Sequence, residues 1–457
     1  MANLLQFVDS IASAPTVRLD LADGAKWNIK DFDFSPPKLK RARIATLMHD
    51  GDAIPATAYA NRMIGLELVL KATTTDLLAA EFQKLNRELD RPNNILKWKS
   101  EGAGSGLEVF FRTFRSPDYQ LDRLPNSDPT AIRTYVLKLK IEAEPFAYGL
   151  RETVTPTAPT RAFANSFFDI SAAQAKGDVA TPLWLKLTAG DAHNQTLLAV
   201  RRHGTPGLYW AEGEAGVGLI VDTTSVADAP SSGGSVARCT FATSTAMVAR
   251  ILIAVAPFSG AGSTSVEYRG TYRIFLRARK GTGGDVVQAR WATVGSGLVG
   301  PTVVIDTTAY KLYDLGLFTL PLGSDPIVDG HSNTALAVES IELDIQAQRV
   351  SGTGNLDMDA IIAIPADEEL SITDFGTAAA GQLPTFDGPN DVVYYQTAAG
   401  AIALVATLAK RTGDIAIVQP NQVNRYHIID NLAAHSITGT IAVVWAYWPR
   451  FLDPVRP

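Results

Sequence analysis

The sequence predicts a mainly β protein: an N-terminal β-domain with one helix, then a discontinuous β-sandwich carrying an inserted jelly-roll β-sandwich. Three observations carry this expectation. Short runs rich in β-branched and aromatic residues alternate apolar and polar from end to end, as half-buried strands do. Glycine (36) and proline (25) punctuate them, while charged residues reach only 19%, against about 25% in an ordinary domain. The third is a seam. The stretch NLDMDAIIAIPADE (355–368) alternates like a closing strand and stops at a proline and acids. Strand-like sequence nevertheless continues beyond it, with no evident beginning of its own.

Composition sets the outer limits. The 457 residues allow roughly three domains, and 46% hydrophobic residues supply packed cores and speak against disorder. A lone cysteine, Cys239, excludes an internal disulfide framework. The opening MANLLQFVDSIASAP lacks a basic n-region and a long apolar core, so it does not read as a signal peptide. AMVARILIAVAPF, the most apolar stretch, is shorter than the roughly 20 residues of a membrane-spanning helix and carries Arg250. A net charge of -6 with scattered lysines argues against a nucleic-acid partner.

The first domain is expected over residues 1–148. TVRLDLAD, KWNIKDFDF, RMIGLELVLKA, NILKWKS, LEVFFRTFRS and AIRTYVLKLKIEAEPF alternate as strands between Gly, Pro and Asn turns. Between the third and fourth, TTTDLLAAEFQKLNRELDRP places Leu78, Phe82, Leu85 and Leu89 on one face of a helix. Threonines and Asp76 suit its N-terminus, and Pro92 follows its last turn.

A Thr/Pro-rich linker, RETVTPTAPTRAFA, leads to GDVATPLWLKLTAG, with Leu183, Leu185 and Leu187 on one face, and to QTLLAVRRH. Two or three strands expose too much apolar surface to stand alone. Their partners are expected at the far end, in IALVATLAK, GDIAIVQP, NRYHIIDN and SITGTIAVVWAYWPRFL, where Ile441, Val443, Trp445 and Tyr447 share a face. Residues 149–206 and 371–457 thus make one discontinuous sandwich, interrupted by residues 207–370. In the insert, YRGTYRIFLRARK turns Tyr272, Ile274 and Leu276 inward and Arg273, Arg277 and Arg279 outward, and SIELDIQAQRV turns Ile341, Leu343 and Ile345 inward. Two facing sheets bury such rows.

LYWAEGEAG, APSSGGSVARCTF, GTYRIFLRARK and LDMDAIIAIP, in that order, resemble jelly-roll carbohydrate-binding modules. That resemblance implies a structural calcium held by acids on the first strand and one on the last, at Glu212, Glu214 and Asp359. Calcium takes hard oxygen ligands; the plain alternative is three solvated acids. Sugar recognition draws on aromatic platforms, for which Trp210, Tyr268, Trp291, Tyr310 and Tyr313 are candidates. Trp291 is favoured because QARWATVGSG ends a strand at a glycine-rich loop. Core aromatics are the alternative for each.

The flanking framework is similar to the distal tail and minor tail proteins of long-tailed bacteriophages. The likeness rests on the strand and helix order up to LKIEAEPFAYG, on GDVATPLWLKL and on HSITGTIAVVWAYWPRFL. It implies a homo-oligomeric ring, a hexamer, formed by the N-terminal domain at the tail tip or baseplate. Tail-tube and hub proteins would be neighbours, and the insert would hold a host surface polysaccharide. Such a protein is made in the host cytoplasm and resides in the virion.

Enzymatic readings fare worse. GSGLVG (295–300) fits a dinucleotide loop as a string, but Pro301 and a β-branched run follow where a helix must start. No HExxH, paired CxxC or GxSxG occurs, and six histidines are scattered. Cys239 sits in the alternating ARCTFAT as a small buried hydrophobe. Asp357 and Asp359, two apart on a strand, have a spacing compatible with a glycoside hydrolase pair. A free-standing carbohydrate-binding protein or hydrolase is therefore the alternative function.

Overall fold

A computed structural model of the chain describes residues 4–45, 52–99, 108–116, 119–123, 133–154, 167–188, 193–201, 209–214, 218–231, 234–254, 270–293, 298–320, 342–365, 371–374, 383–396, 402–404, 410–413, 416–432 and 442–453. These residues are mainly β, and they fall into two compact units, Met1–Glu152 with Gln174–Thr181 and Tyr447–Pro457, and Thr153–Ala173 with Pro182–Ala446.

In the first unit, Ile64, Leu66, Leu68 and Leu70 repeat at the two-residue period of a strand, so one face of Arg62–Ala72 is buried, apolar from Ile64 onward with Arg62 at its start. That strand pairs along its full length with Arg133–Ala143, whose Leu137, Leu139 and Ile141 are buried in the same cluster. Seven strands of the ten-stranded sheet run Val17–Asp20, Leu4–Val8, Asn94–Lys99, Glu108–Thr113, Arg133–Ala143, Arg62–Ala72, Trp27–Asp33, with Tyr119–Arg123, Ala147–Tyr148 and Arg450–Phe451 joined beside this path. The helix Thr75–Leu89 starts at Thr74, whose hydroxyl accepts from the Leu77 amide, and Asp76 lies in its first turn. Leu78, Leu85 and Leu89 are buried and Phe82 partly so, as the spacing requires.

Two acids on the helix are buried as well, which periodicity did not suggest. Glu81 accepts from Lys26 (2.7 Å), Lys84 (2.9 Å) and the Trp27 indole (3.2 Å), and Glu88 from Arg18 and Arg91 at 3.0 Å. Burial would raise the Glu81 carboxyl, but these donors hold it below its ordinary value. Leu4–Val8, inside the segment weighed as a leader, pairs with both Val17–Asp20 and Asn94–Lys99. Strands Leu39–Ala45 and Asp52–Tyr59, which no alternation announced, form a separate two-stranded sheet.

The segment 447–453 belongs to this first unit. Arg450–Phe451 pairs with Ala147–Tyr148, and Phe451 is buried in the same cluster as Leu66 and Leu139. Asp178 donates its amide to the Arg450 carbonyl (2.8 Å) and accepts the Leu452 amide on its carboxylate (2.9 Å). The Tyr447 hydroxyl accepts the Lys176 amide (2.7 Å) and donates to the Gln174 carbonyl. Arg62, almost fully buried, donates to the Leu452 carbonyl; desolvation pulls its guanidinium down to about 10, with Asp453 opposing.

In the second unit, strands before residue 202 pair with strands after residue 370. Trp184–Thr188 lies between Ala442–Tyr447 and Leu383–Asp387, and His193–Arg201 lies between Asn424–Leu432 and Ser371–Asp374. Leu183, Leu185, Leu187, Val443 and Trp445 are buried; Ile441 lies outside the described residues. Strands from Tyr209 to Pro365 pair among themselves in two sheets. One runs Thr223–Ala227, Ser235–Cys239, Leu356–Pro365, Gly270–Lys280, Lys311–Leu320, with Tyr209–Glu212 also on Leu356–Pro365. The other runs Gly218–Leu219, Val248–Ala254, Glu342–Ser351, Val286–Thr293, Val303–Ile305.

Tyr272, Ile274, Leu276, Leu343 and Ile345 meet in the core these two sheets share. The alternation of NLDMDAIIAIPADE, with Leu356, Met358, Ala360, Ile362 and Ile364 in one row, changes phase. Leu356 and Met358 are in that core, but beyond them the core residues are Ile361 and Ala363. Arg277 pairs with Ala360 and Ala278 with Met358, so Asp359 is the extra residue of a β-bulge. No helix among the described residues is long and apolar enough to cross a membrane.

Candidate functional site

Alternation along Gly270–Lys280 leaves Arg277 and Arg279 on the face away from the core, and the neighbouring strand Leu356–Pro365 offers Asp357 and Asp359 there. Pairing brings the two rows together. Arg238 clasps Asp357 through two bonds of 2.6 and 2.9 Å, and Arg279 reaches the same carboxylate at 3.0 Å. Arg277 pairs with Asp359, both with side chains wholly removed from solvent. Asp228 closes the cluster, accepting from Arg279 (2.7 Å) and from the Tyr310 hydroxyl (2.6 Å).

The Tyr310 ring lies against two guanidiniums, 4.4 Å from Arg277 and 4.6 Å from Arg279. Burial, then the bond to Asp228, pushes its phenol far above the ordinary tyrosine value. Three guanidiniums thus meet three carboxylates, which leaves the cluster neutral, with Arg238 and Arg279 partly open at its rim. Such an arrangement fixes planar donors in place. It offers no free nucleophile or proton donor: Asp357 and Asp359, considered as a hydrolytic pair, are both engaged by arginine.

The aromatic candidates are placed differently from the expectation. Trp291 is buried, edge-on to Phe318 with centroids 5.1 Å apart, and Gly300 packs on its indole so closely that a Cβ there would stand 2.2 Å from Nε1. Gly300, beyond the stretch that marked it as exposed, instead packs on it. Tyr310 and Tyr313 are also buried, the latter donating to Asp306 at 2.8 Å. None of these three rings is a platform open to a sugar. Tyr268 lies outside the described residues, and so does the side chain of Trp210. Replacing Trp291 by alanine is therefore expected to destabilise the core shared by the two sheets from Tyr209 to Pro365 by about 3–5 kcal/mol, the usual loss for a buried aromatic. Denaturant melts check this; an unchanged midpoint with weakened glycan binding would restore it as a platform.

Of the acids expected to hold calcium, Glu212, Glu214 and Asp359, the last is paired with an arginine. Among the described residues no group of three or more His, Cys, Asp or Glu side chains could hold a metal. The counter-charge at Asp359 is the Arg277 guanidinium. Glu214 keeps a buried Oε2 without a partner, and burial, reinforced by the charge of Asp359, raises its carboxyl above the ordinary range. A carboxyl whose folded value is raised stabilises the fold while protonated, and that contribution is lost as pH rises through the folded value. Glu214→Gln is thus expected to raise the melting temperature at pH 7 and to leave it unchanged below about pH 4, where both states are protonated. Equal melts for the two proteins at pH 7 would refute this.

The first unit also has a groove of about 470 Å³, lined by Asp31, Phe32, Asp33, Glu67, Lys138 and Lys140 among others. Sequence reading overlooked both this groove and the arginine–aspartate cluster. The signal for the second was present: R-x-R at 277–279 and D-x-D at 357–359 share the two-residue period.

No family model matches the chain, and no curated protein matches it. Among solved structures it is similar to the SPP1 Dit protein, described as a paradigm of the hub adsorption apparatus in phages infecting Gram-positive bacteria. The identity is 12% over 45% of this chain and 72% of that one, with a TM-score of 0.31. It is also similar to a chain of the phage P2 baseplate in its activated conformation with Ca, at 7% identity over 98% of each chain and a TM-score of 0.29. For a chain of the phage p2 baseplate with Sr the figures are 9% identity, 80% of this chain, 99% of that one and a TM-score of 0.24.

Proposed function

We propose that the chain is a structural, non-catalytic protein of a phage tail tip, assembling into a hexameric ring through its first unit. The jelly roll would face outward and bind a host surface polysaccharide. One observation carries the assembly part: the first unit ends its large sheet in an open edge strand, Trp27–Asp33, and carries a two-stranded hairpin that pairs with nothing else among the described residues. Exposed strand edges of this kind are surfaces for pairing with another chain. The sequence resemblance to tail proteins supports the same reading. For the polysaccharide, support comes from the planar donors at the rim of the arginine–aspartate cluster.

Negative-stain imaging and light scattering of the purified chain test the ring. Rings are expected, and strict monomers at assembly-relevant concentration would overturn it. A whole-cell pull-down across candidate bacteria tests adhesion, with binding removed by enzymatic stripping of the surface polysaccharide as the expected result.

A further inference from the structure

The hairpin has an unusual charge. Residues 38–43 read KLKRAR, four cations in six positions, on a chain of net charge -6. The strand opposite is neutral where they meet: Lys40 faces Ala58, Arg41 faces Thr57 and Ala42 faces Ala56. Lys38, Lys40 and Arg41 are exposed, and among the described residues no carboxylate pairs with them. Because the whole chain carries -6 and this run +4, the remainder carries -10. Any second copy therefore presents an oppositely charged body. A two-stranded hairpin is also marginally stable by itself, so docking supplies the burial it lacks.

A complementary surface lies on the first unit. Among the described residues Trp27–Asp33 pairs only with Arg62–Ala72 and ends the ten-stranded sheet. Asp31 and Asp33 are exposed on it, at the groove that also contains Phe32, Leu66 and Leu139. Lys138 and Lys140 line the groove too, so the acidic feature is the edge strand itself. Among the described residues of its own chain the hairpin does not pair with this strand.

We infer that the cationic hairpin of one copy docks on the Asp31/Asp33 edge of a second copy. A contact between two different surfaces is head-to-tail, and repetition of it closes a ring when the rotation allows. The inference rests on the assembly reading above and names the contact that drives it. Opposite charges at such a contact speed encounter and fix its register.

The test uses the full chain in light scattering at low and high salt. Wild-type protein is expected to associate, less at high salt. K40E/R41E and D31K/D33K are each expected to weaken association by at least roughly tenfold, with melting curves matching wild type. Mixing the two variants reunites an acidic hairpin with a basic edge and should recover association. Wild type that stays monomeric throughout would remove the assembly reading itself. If wild type assembles and both variants do so equally well, that reading stands and the hairpin contact is wrong. Weakened variants that fail to rescue each other would also overturn the pairing of hairpin with edge. Unaffected assembly with loss of retention on duplex DNA would assign the hairpin to nucleic acid instead.

Discussion

Replacing Asp359 by alanine should destabilise the second unit by about 3–5 kcal/mol, because it leaves a buried guanidinium without its counter-charge. Arg277 and Asp359 are both fully buried, and the Arg277 guanidinium also lies 3.4 Å from the Pro230 carbonyl and against the Tyr310 ring. The double variant Arg277→Met/Asp359→Ala should recover much of that loss, since replacing a buried pair by apolar groups is often near neutral. Recovery will stay incomplete, as Tyr310 loses one of its two cationic neighbours. Denaturant melts of the single and double variants give the coupling directly. If the two single losses simply add in the double, the pair is not a unit and the cluster is wrongly described.

A chain ending at Ala446 should leave the first unit partly unfolded. Loss of Phe451 empties a core position worth about 3–5 kcal/mol when an aromatic is removed. The same cut takes the Leu452 carbonyl from buried Arg62 and the strand partner from Ala147–Tyr148. Together these are a large share of the roughly 5–15 kcal/mol that holds an ordinary domain. Hydrogen exchange in Arg62–Ala72 is the measurement, with full protection retained after the cut as the result that sinks the claim. Phe451→Ala in the intact chain should give a smaller change in the same direction.

Where one face of an element is simply apolar, the sequence was readable. The helix Thr75–Leu89, the leucine row at 183–187 and the inward residues of Gly270–Lys280 and Glu342–Ser351 follow from periodicity alone, because burial selects side chains at a fixed step. The arginines of Gly270–Lys280 did not. An outward arginine reads as solvated until a carboxylate on a distant strand is known to lie opposite, and Arg277 and Asp359 are 82 positions apart. The phase change in Leu356–Pro365 escaped for a related reason: a bulge adds one residue without altering composition. Trp291 was misplaced because nothing in QARWATVGSG signals that Gly300, a few residues on, packs against its ring. The hairpin at 39–59 escaped because Lys, Arg and Ala dominate its strands, residues that weigh against β structure locally.

The segment 447–453 bears on how the molecule is made. Tyr447 follows Glu152 by 295 residues, which is roughly 15–60 s of synthesis at ordinary translation rates. Through that interval the nascent first unit waits with the Phe451 position unfilled and Arg62 lacking its carbonyl. A ribosome-bound chain therefore holds an unfinished first unit until this late segment emerges. Neighbouring nascent chains on one message would then be hindered from joining prematurely, and assembly would begin with molecules that have been translated at least that far.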